Sequence, residues 1–161
     1  MSEPRALAVL DIDGVLADVR HRLVHLEQRP KDWAAFFAAA PEDPPLAKGL
    51  DAARRLAEVH EVVYLSGRPE RCRADTVAWF AQHGLPQGRI LLRPAGDHRP
   101  ARLFKIEMLH QLSARAPVVV LVDDDPAVCR AAMEAGYDVL PADWMGEQPT
   151  LFEAQEVEGQ T

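Results

Sequence analysis

Hydrophobic residues along this chain fall in two alternating patterns. Short continuous apolar runs recur at Ala6–Leu10, Glu61–Leu65, Arg89–Leu92, Pro117–Val122 and Tyr137–Leu140. Each is four to six residues long, rich in Val, Leu and Ile, and bounded by acids, Gly or Pro. That pattern predicts strands buried on both faces. Between them lie stretches with apolar residues at helical spacing: Leu50, Ala53, Leu56 and Ala57 within Gly49–His60; Cys72, Thr76, Val77, Phe80 and Ala81 within Glu70–His83; Leu103, Ile106, Leu109 and Leu112 within Ala101–Ala114; and the short run Ala127–Ala135. These predict helices, with Gly84 and Gly136 placed as C-terminal stops. A short segment over Val19–Glu27 and a helix over Lys31–Ala40 precede the Pro41–Pro45 stop. The last stretch, 147–161, is acidic, lacks a sustained pattern and is expected to fray beyond one helical turn at Leu151-Phe152.

Strands alternating with helices of about ten to fourteen residues build βαβ units, hence an α/β fold with a central parallel sheet and helices on both faces. In such sheets ligands bind where the carboxyl ends of the strands meet a topological switch point. The residues that follow each apolar run are then the candidate chemistry: Asp11 and Asp13; Ser66 and Arg68; Asp97 and Arg99; Asp123 and Asp124. Lys105 joins them from the start of its helix. Carboxylates gathered at one edge repel one another, so the pattern calls for a cation. Oxygen-only ligands without a Cys/His cluster favour Mg²⁺. An ammonium, a hydroxyl and a helix start facing such a centre make a phosphate site.

Composition refines this picture. The 161 residues suit a single domain, expected over 1–146 with 147–161 as a tail, and the 48% apolar content supports a real core. A net charge of −7 speaks against a broadly basic nucleic-acid or membrane surface. Yet of 18 basic residues only Lys31, Lys48 and Lys105 are lysines; the rest are arginines, which grip phosphate with a planar fork. Cys72 and Cys129 have no partner spacing and read as buried apolar thiols. No secretion signal or bilayer-length apolar run is evident, so a cytoplasmic protein with no membrane and no obligate protein partner is expected.

Asp11-Ile12-Asp13-Gly14-Val15-Leu16, Ser66 after a strand, Lys105, and Asp123-Asp124 resemble the four motifs of the haloacid dehalogenase (HAD) superfamily phosphohydrolases. The resemblance implies a Rossmannoid three-layer sandwich and Mg²⁺-dependent phosphotransfer through an aspartyl-phosphate. It makes Asp11 the nucleophile and a metal ligand. Asp13 becomes the general acid and base, with its backbone carbonyl on the metal. Ser66, Gly67 and Lys105 would hold the phosphoryl group, with Asp123 and Asp124 at the metal. Ser66-Gly67-Arg68, the stretch Gly96–Arg99 ahead of Lys105, and Arg22 eleven residues after Asp11 are similar to the phosphatase half of phage-type polynucleotide kinase–phosphatases. That likeness implies a 3′-phosphorylated DNA or RNA end, or a nucleotide, as the phosphomonoester substrate, with Arg22, Arg68 and Arg99 in the site. Ala101 and Arg102 depart from it, standing where acids are expected. Residues 19–48 have room for only a small helical flap instead of a large cap. Trp33, Phe36 and Phe37 in that flap are expected to pack on the core rather than stack on a base. A small-molecule phosphatase for nucleoside monophosphates or sugar phosphates is the alternative, and a receiver-like or inactive binding module the non-enzymatic one.

Overall fold

The computed structural model describes residues 3–161. Five strands, β1 (Leu7–Leu10), β2 (Glu61–Pro69), β3 (Arg89–Arg93), β4 (Val118–Asp123) and β5 (Val139–Pro141), form one sheet in the order β3-β2-β1-β4-β5. Every pairing is parallel. Seven α-helices accompany them: α1 (Val24–Glu27), α2 (Trp33–Ala38), α3 (Ala47–Val59), α4 (Arg73–His83), α5 (Ala101–Ser113), α6 (Pro126–Glu134) and α7 (Pro149–Val157).

Period-two alternation sorts the strand side chains between two cores. Leu7 and Val9 of β1, Val63 and Leu65 of β2, and Leu121 of β4 pack with Phe104, Leu109 and Leu112 of α5 and Val128 and Ala132 of α6. Leu10, Val62, Tyr64 and Val122 face the other way, toward Ala53 of α3 and Trp79 and Phe80 of α4. Three layers result, as the strand–helix alternation predicts.

Two helices are rotated from the expected stripes. Val77 is half exposed and Trp79 takes its place inside, so the buried face of α4 runs through Thr76, Trp79 and Phe80. Leu103 is likewise exposed, while Ala101, Phe104, Lys105, Leu109 and Leu112 are buried. The reason is Lys105: turning its ammonium inward carries the helix face with it. A hydropathy pattern cannot register a buried lysine as an inward position.

A third cluster lies apart from the sheet. Val19, Leu23 and Leu26 pack with Phe36 and Phe37 of α2, with Cys72, and with Leu151 and Ala154 of α7. Phe36 and Phe37 are core residues with the partly buried Trp33 packed against them, and both cysteines are buried. The expectation for the tail is overturned: 149–157 is a full helix, because Leu151 and Ala154 at i and i+3 find an apolar partner in the flap. A nine-residue helix gains little by itself and needs that packing to persist. Among the described residues no helix is long and apolar enough to cross a membrane.

Leu151→Ala should therefore lower the unfolding free energy by about 2–4 kcal/mol, measured by urea denaturation. A frayed tail would leave it within about 0.5 kcal/mol.

Candidate active site

β1 is the central strand, and the direction of chain progression reverses beside it, between β1 and β4. Leu10 is in register with Tyr64 and with Val122, and the Asp11 N–H donates to the Val122 carbonyl at 2.9 Å. Asp11 and Asp123 therefore emerge side by side from adjacent strands. The chain then turns tightly, with the N–H groups of Leu16 and Ala17 donating to the Ile12 carbonyl at 2.8 and 3.0 Å. Gly14 sits in this turn at φ +80°, and a Cβ there would lie 1.9 Å from Asp124 Oδ2. Only glycine permits both the turn and the approach of that carboxylate.

Charged groups at this edge divide into two sets. In the first, Lys105 Nζ lies 3.1 Å from Asp11 Oδ1 and 2.6 Å from Asp123 Oδ2. Asp123 Oδ1 accepts from the Asp125 N–H at 2.9 Å, and Asp11 Oδ1 from the Ile12 N–H at 2.8 Å. Asp11 Oδ2 and both oxygens of Asp124 are shut off from solvent and have no hydrogen-bond partner. Ligand atoms of Asp11, Asp123 and Asp124 all lie within 4.8 Å of one another. Three carboxylates against one ammonium leave two uncompensated negative charges, which suits a divalent cation, and the oxygen-only donor set suits a hard one. The residues fit Mg²⁺. Asp13, expected at the metal through its backbone carbonyl, has its carboxylate on Arg22 and Arg68 instead of in this triad.

In the second set, Asp13 Oδ1 accepts from Arg22 Nη2 at 3.0 Å and from Arg68 Nε and Nη2 at 3.0 and 2.6 Å. Arg22 in turn forks onto Asp43, with Nε to Oδ1 and Nη2 to Oδ2 both at 2.8 Å. Arg68 Nη2 reaches Asp43 Oδ2 at 3.3 Å, and His21 Nε2 lies 2.6 Å from Asp43 Oδ1. Two guanidiniums and two carboxylates balance. The Arg22 guanidinium also lies over the Phe36 ring, 4.3 Å from its centroid.

This division drives the titrations of Asp11 and Asp13 apart. Burial, reinforced by Asp123, raises Asp11 to about 8 against the pull of Lys105. Burial would raise Asp13 as well, but Arg68 and Arg22 outweigh it and lower the group to about 2. Asp124 is pushed well above the ordinary range by burial and by Asp11. Burial opposes the charge on Lys105, yet Asp11 and Asp123 raise it above its usual value.

Ser66 and Gly67 belong to β2 itself. The strand continues through Pro69, where a turn after Leu65 was expected, and its pairing with β3 becomes irregular beyond Leu65. That irregularity frees the strand end to turn its groups into the crevice. Ser66 Oγ accepts from the Arg68 N–H at 3.0 Å. Arg99 is not brought in: it is half exposed and paired with Asp97 and Glu107 on the surface. Its own ion pairs hold it there. Arg93 lies buried at the crevice instead, with Nε on the Gly67 carbonyl at 3.1 Å and Nη1 on the Arg99 carbonyl at 2.9 Å. The last residues also reach this place: Thr161 is buried, its carbonyl accepts from Arg93 Nη2 at 3.3 Å, and a Cβ on Gly67 would lie 2.2 Å from its carbonyl carbon.

Sequence reasoning missed Asp43, Arg93, Thr161 and the contact of the exposed His21 with Asp43. Arg93 was recoverable as the residue ending a strand at the carboxyl edge. Asp43 sits in a proline-bounded stop beside the exposed-edge Glu42, and nothing local separates the two acids.

Comparisons with known proteins agree with this geometry. A family model described as the polynucleotide kinase PNKP phosphatase domain matches residues 4–143. A chain of a Pnkp1/Rnl/Hen1 RNA repair complex is similar in structure, with a TM-score of 0.71 at 19% identity over 88% of this chain and 44% of that one. A haloacid dehalogenase-like family hydrolase from Streptococcus pneumoniae gives a TM-score of 0.58 at 14% identity, covering 95% and 92%. Membrane-associated phosphatidylinositol transfer protein 3 of Homo sapiens is 31% identical over 72 residues, which span 44% of this chain and 7% of that protein.

Because Asp11 holds a proton up to about pH 8 without metal, Mg²⁺ binding must displace it. Apparent Mg²⁺ affinity, measured by the metal-induced rise in melting temperature, should tighten as pH rises from about 6 to about 8, because Asp11 and Asp124 must both give up protons to the metal. A pH-independent affinity would contradict the arrangement.

Proposed function

Because the chain belongs to the family of the polynucleotide kinase PNKP phosphatase domain, HAD-superfamily phosphoric-monoester hydrolases, we propose that it removes a 3′-phosphate from nucleic acid ends or nucleotides through an aspartyl-phosphate on Asp11. The observation that carries the mechanism is the opposed state of two carboxylates two residues apart. Asp11, with Oδ2 unpaired, stands in the cluster of Lys105, Asp123 and Asp124, whereas Asp13 is held apart by two arginines. Two carboxylates in such different surroundings can take different tasks, one beside the cation site and one clear of it.

In this reading, Asp11 Oδ2 forms a bond to phosphorus while the bond from phosphorus to the ester oxygen breaks. Asp13 gives a proton to the departing oxygen; the phosphate dianion beside it favours the protonated form. Asp13, again a carboxylate, then takes a proton from water whose oxygen attacks the phosphoryl group, releasing inorganic phosphate and restoring Asp11. Lys105, with Ser66 and the Gly67 backbone, screens and orients the phosphoryl oxygens. Asp11, Asp123 and Asp124, with the Asp13 carbonyl, would hold Mg²⁺, which supplies charge neutralisation between the carboxylate and the phosphate. Arg22 and Arg68, first expected on the substrate, act through Asp13. The nucleic-acid part of the reading draws on the family description and on the small flap, which leaves room for the end of a polymer.

Two outcomes test this. Asp11→Asn should reduce turnover of p-nitrophenyl phosphate by more than about a thousandfold. In metal-free buffer at pH 7 it should melt no lower than the wild type, because a carboxyl whose pKa is raised on folding destabilises the native state at any pH above its unfolded value. At equal Mg²⁺, an oligonucleotide with a 3′-phosphate should be hydrolysed faster than one with a 5′-phosphate and faster than sugar phosphates. Preference for either of the latter overturns the substrate assignment.

A further inference from the structure

All three guanidinium contacts to Asp13 fall on one oxygen. Arg22 Nη2, Arg68 Nε and Arg68 Nη2 converge on Oδ1, whereas among the described residues Oδ2 is met only by Thr161 Oγ1, at 3.5 Å. Oδ1 is thereby committed as the charged oxygen, and Oδ2 is left as the one that can carry a proton toward a leaving group.

Arginine side chains do not hold such an arrangement unaided. Each has several rotatable bonds and a fork that prefers to engage both oxygens of a carboxylate. Here the fork of Arg22 is taken by Asp43, through Nε and Nη2 at 2.8 Å each, and only Nη2 is shared with Asp13. Arg68 is held from two further sides, by Thr76 Oγ1 at 3.1 Å and by Asp43 Oδ2 at 3.3 Å. Asp43 is itself fixed: its carboxylate is fully buried, His21 lies on Oδ1, and its carbonyl accepts from Trp79 Nε1 at 2.9 Å. We propose that Asp43 is a positioning residue that keeps the Arg22 fork off Asp13 Oδ2 and so reserves that oxygen for the leaving group. This rests on the acid–base role of Asp13 given above.

Without the Asp43 carboxylate, Arg22 is free to fork onto Asp13 and cover Oδ2, which hinders proton delivery. A substrate whose leaving group needs no proton should be far less affected. The test compares kcat/KM, which reports steps through formation of the phosphoryl-enzyme, for methyl phosphate and p-nitrophenyl phosphate. Asp43→Asn keeps the size of the side chain and should lower kcat/KM for methyl phosphate at least tenfold more than for p-nitrophenyl phosphate. Arg22→Lys, which keeps the charge but loses the fork, should restore the ratio when combined with Asp43→Asn, and Asp43→Ala should shift the ratio as Asp43→Asn does, so the inference does not depend on one variant folding. In the Asp13→Asn background, Asp43→Asn should have no further effect on the ratio. Equal losses for both substrates in Asp43→Asn and Asp43→Ala, or a ratio that Arg22→Lys does not restore, would reduce Asp43 to structural support and overturn the proposal. If Asp13→Asn splits the two substrates and the Asp43 variants do not, this inference fails while the role of Asp13 stands. A wild type inactive on both esters overturns the phosphatase reading and this inference with it.

Discussion

One ammonium stands among three carboxylates at the carboxyl edge of the sheet, and the molecule is arranged around that imbalance. Lys105 pairs with Asp11 and Asp123, leaving Asp124 and one oxygen of Asp11 buried without partners. Buried charge in that state is costly, and packing alone does not relieve it. The register of β1 against β4 forces Asp11 and Asp123 together, and the glycine turn admits Asp124 beside them. The face of α5 is set by the need to bring the ammonium in, at the expense of exposing Leu103. A divalent cation is what this local charge demands.

Two residues further along the chain the same edge solves the opposite problem. Asp13 is surrounded by more positive charge than it needs, and Asp43 restores neutrality by taking up the surplus on Arg22 and Arg68. The flap therefore does more than cover the crevice. It contributes Arg22 and Asp43, and it is propped by its own apolar cluster with α7. Phe36 links the two functions, being a core residue of the flap and the ring beneath the Arg22 guanidinium. Packing energy in the flap is thus converted into fixed guanidinium geometry at Asp13.

Much of this was legible from residue order. The five apolar runs became five strands, and the acids, serine and arginine that follow them converge as the strand-end rule requires. The failures share a cause. Val77 and Leu103 are exposed because inward positions on their helices went to Trp79 and Lys105, a choice set by distant partners. Arg99 stays outside because Asp97 and Glu107 hold it, and Arg93 takes the inner place. The segment after Glu147 looked unpatterned because its apolar residues match a surface far away in sequence.

Local chemistry by itself determined the sheet, the order of its catalytic candidates and the need for a cation. Strands and their termini are written in short-range hydropathy, and like charges at one edge repel wherever the rest of the chain goes. Only the tertiary structure decided which carboxylate is left bare and which is clasped. That choice depends on Arg22, Asp43 and Arg68, separated by 21 and 25 residues and brought within hydrogen-bonding distance by the flap. Electrostatic environment is a property of what packs together, and sequence proximity between Asp11 and Asp13 says nothing of it.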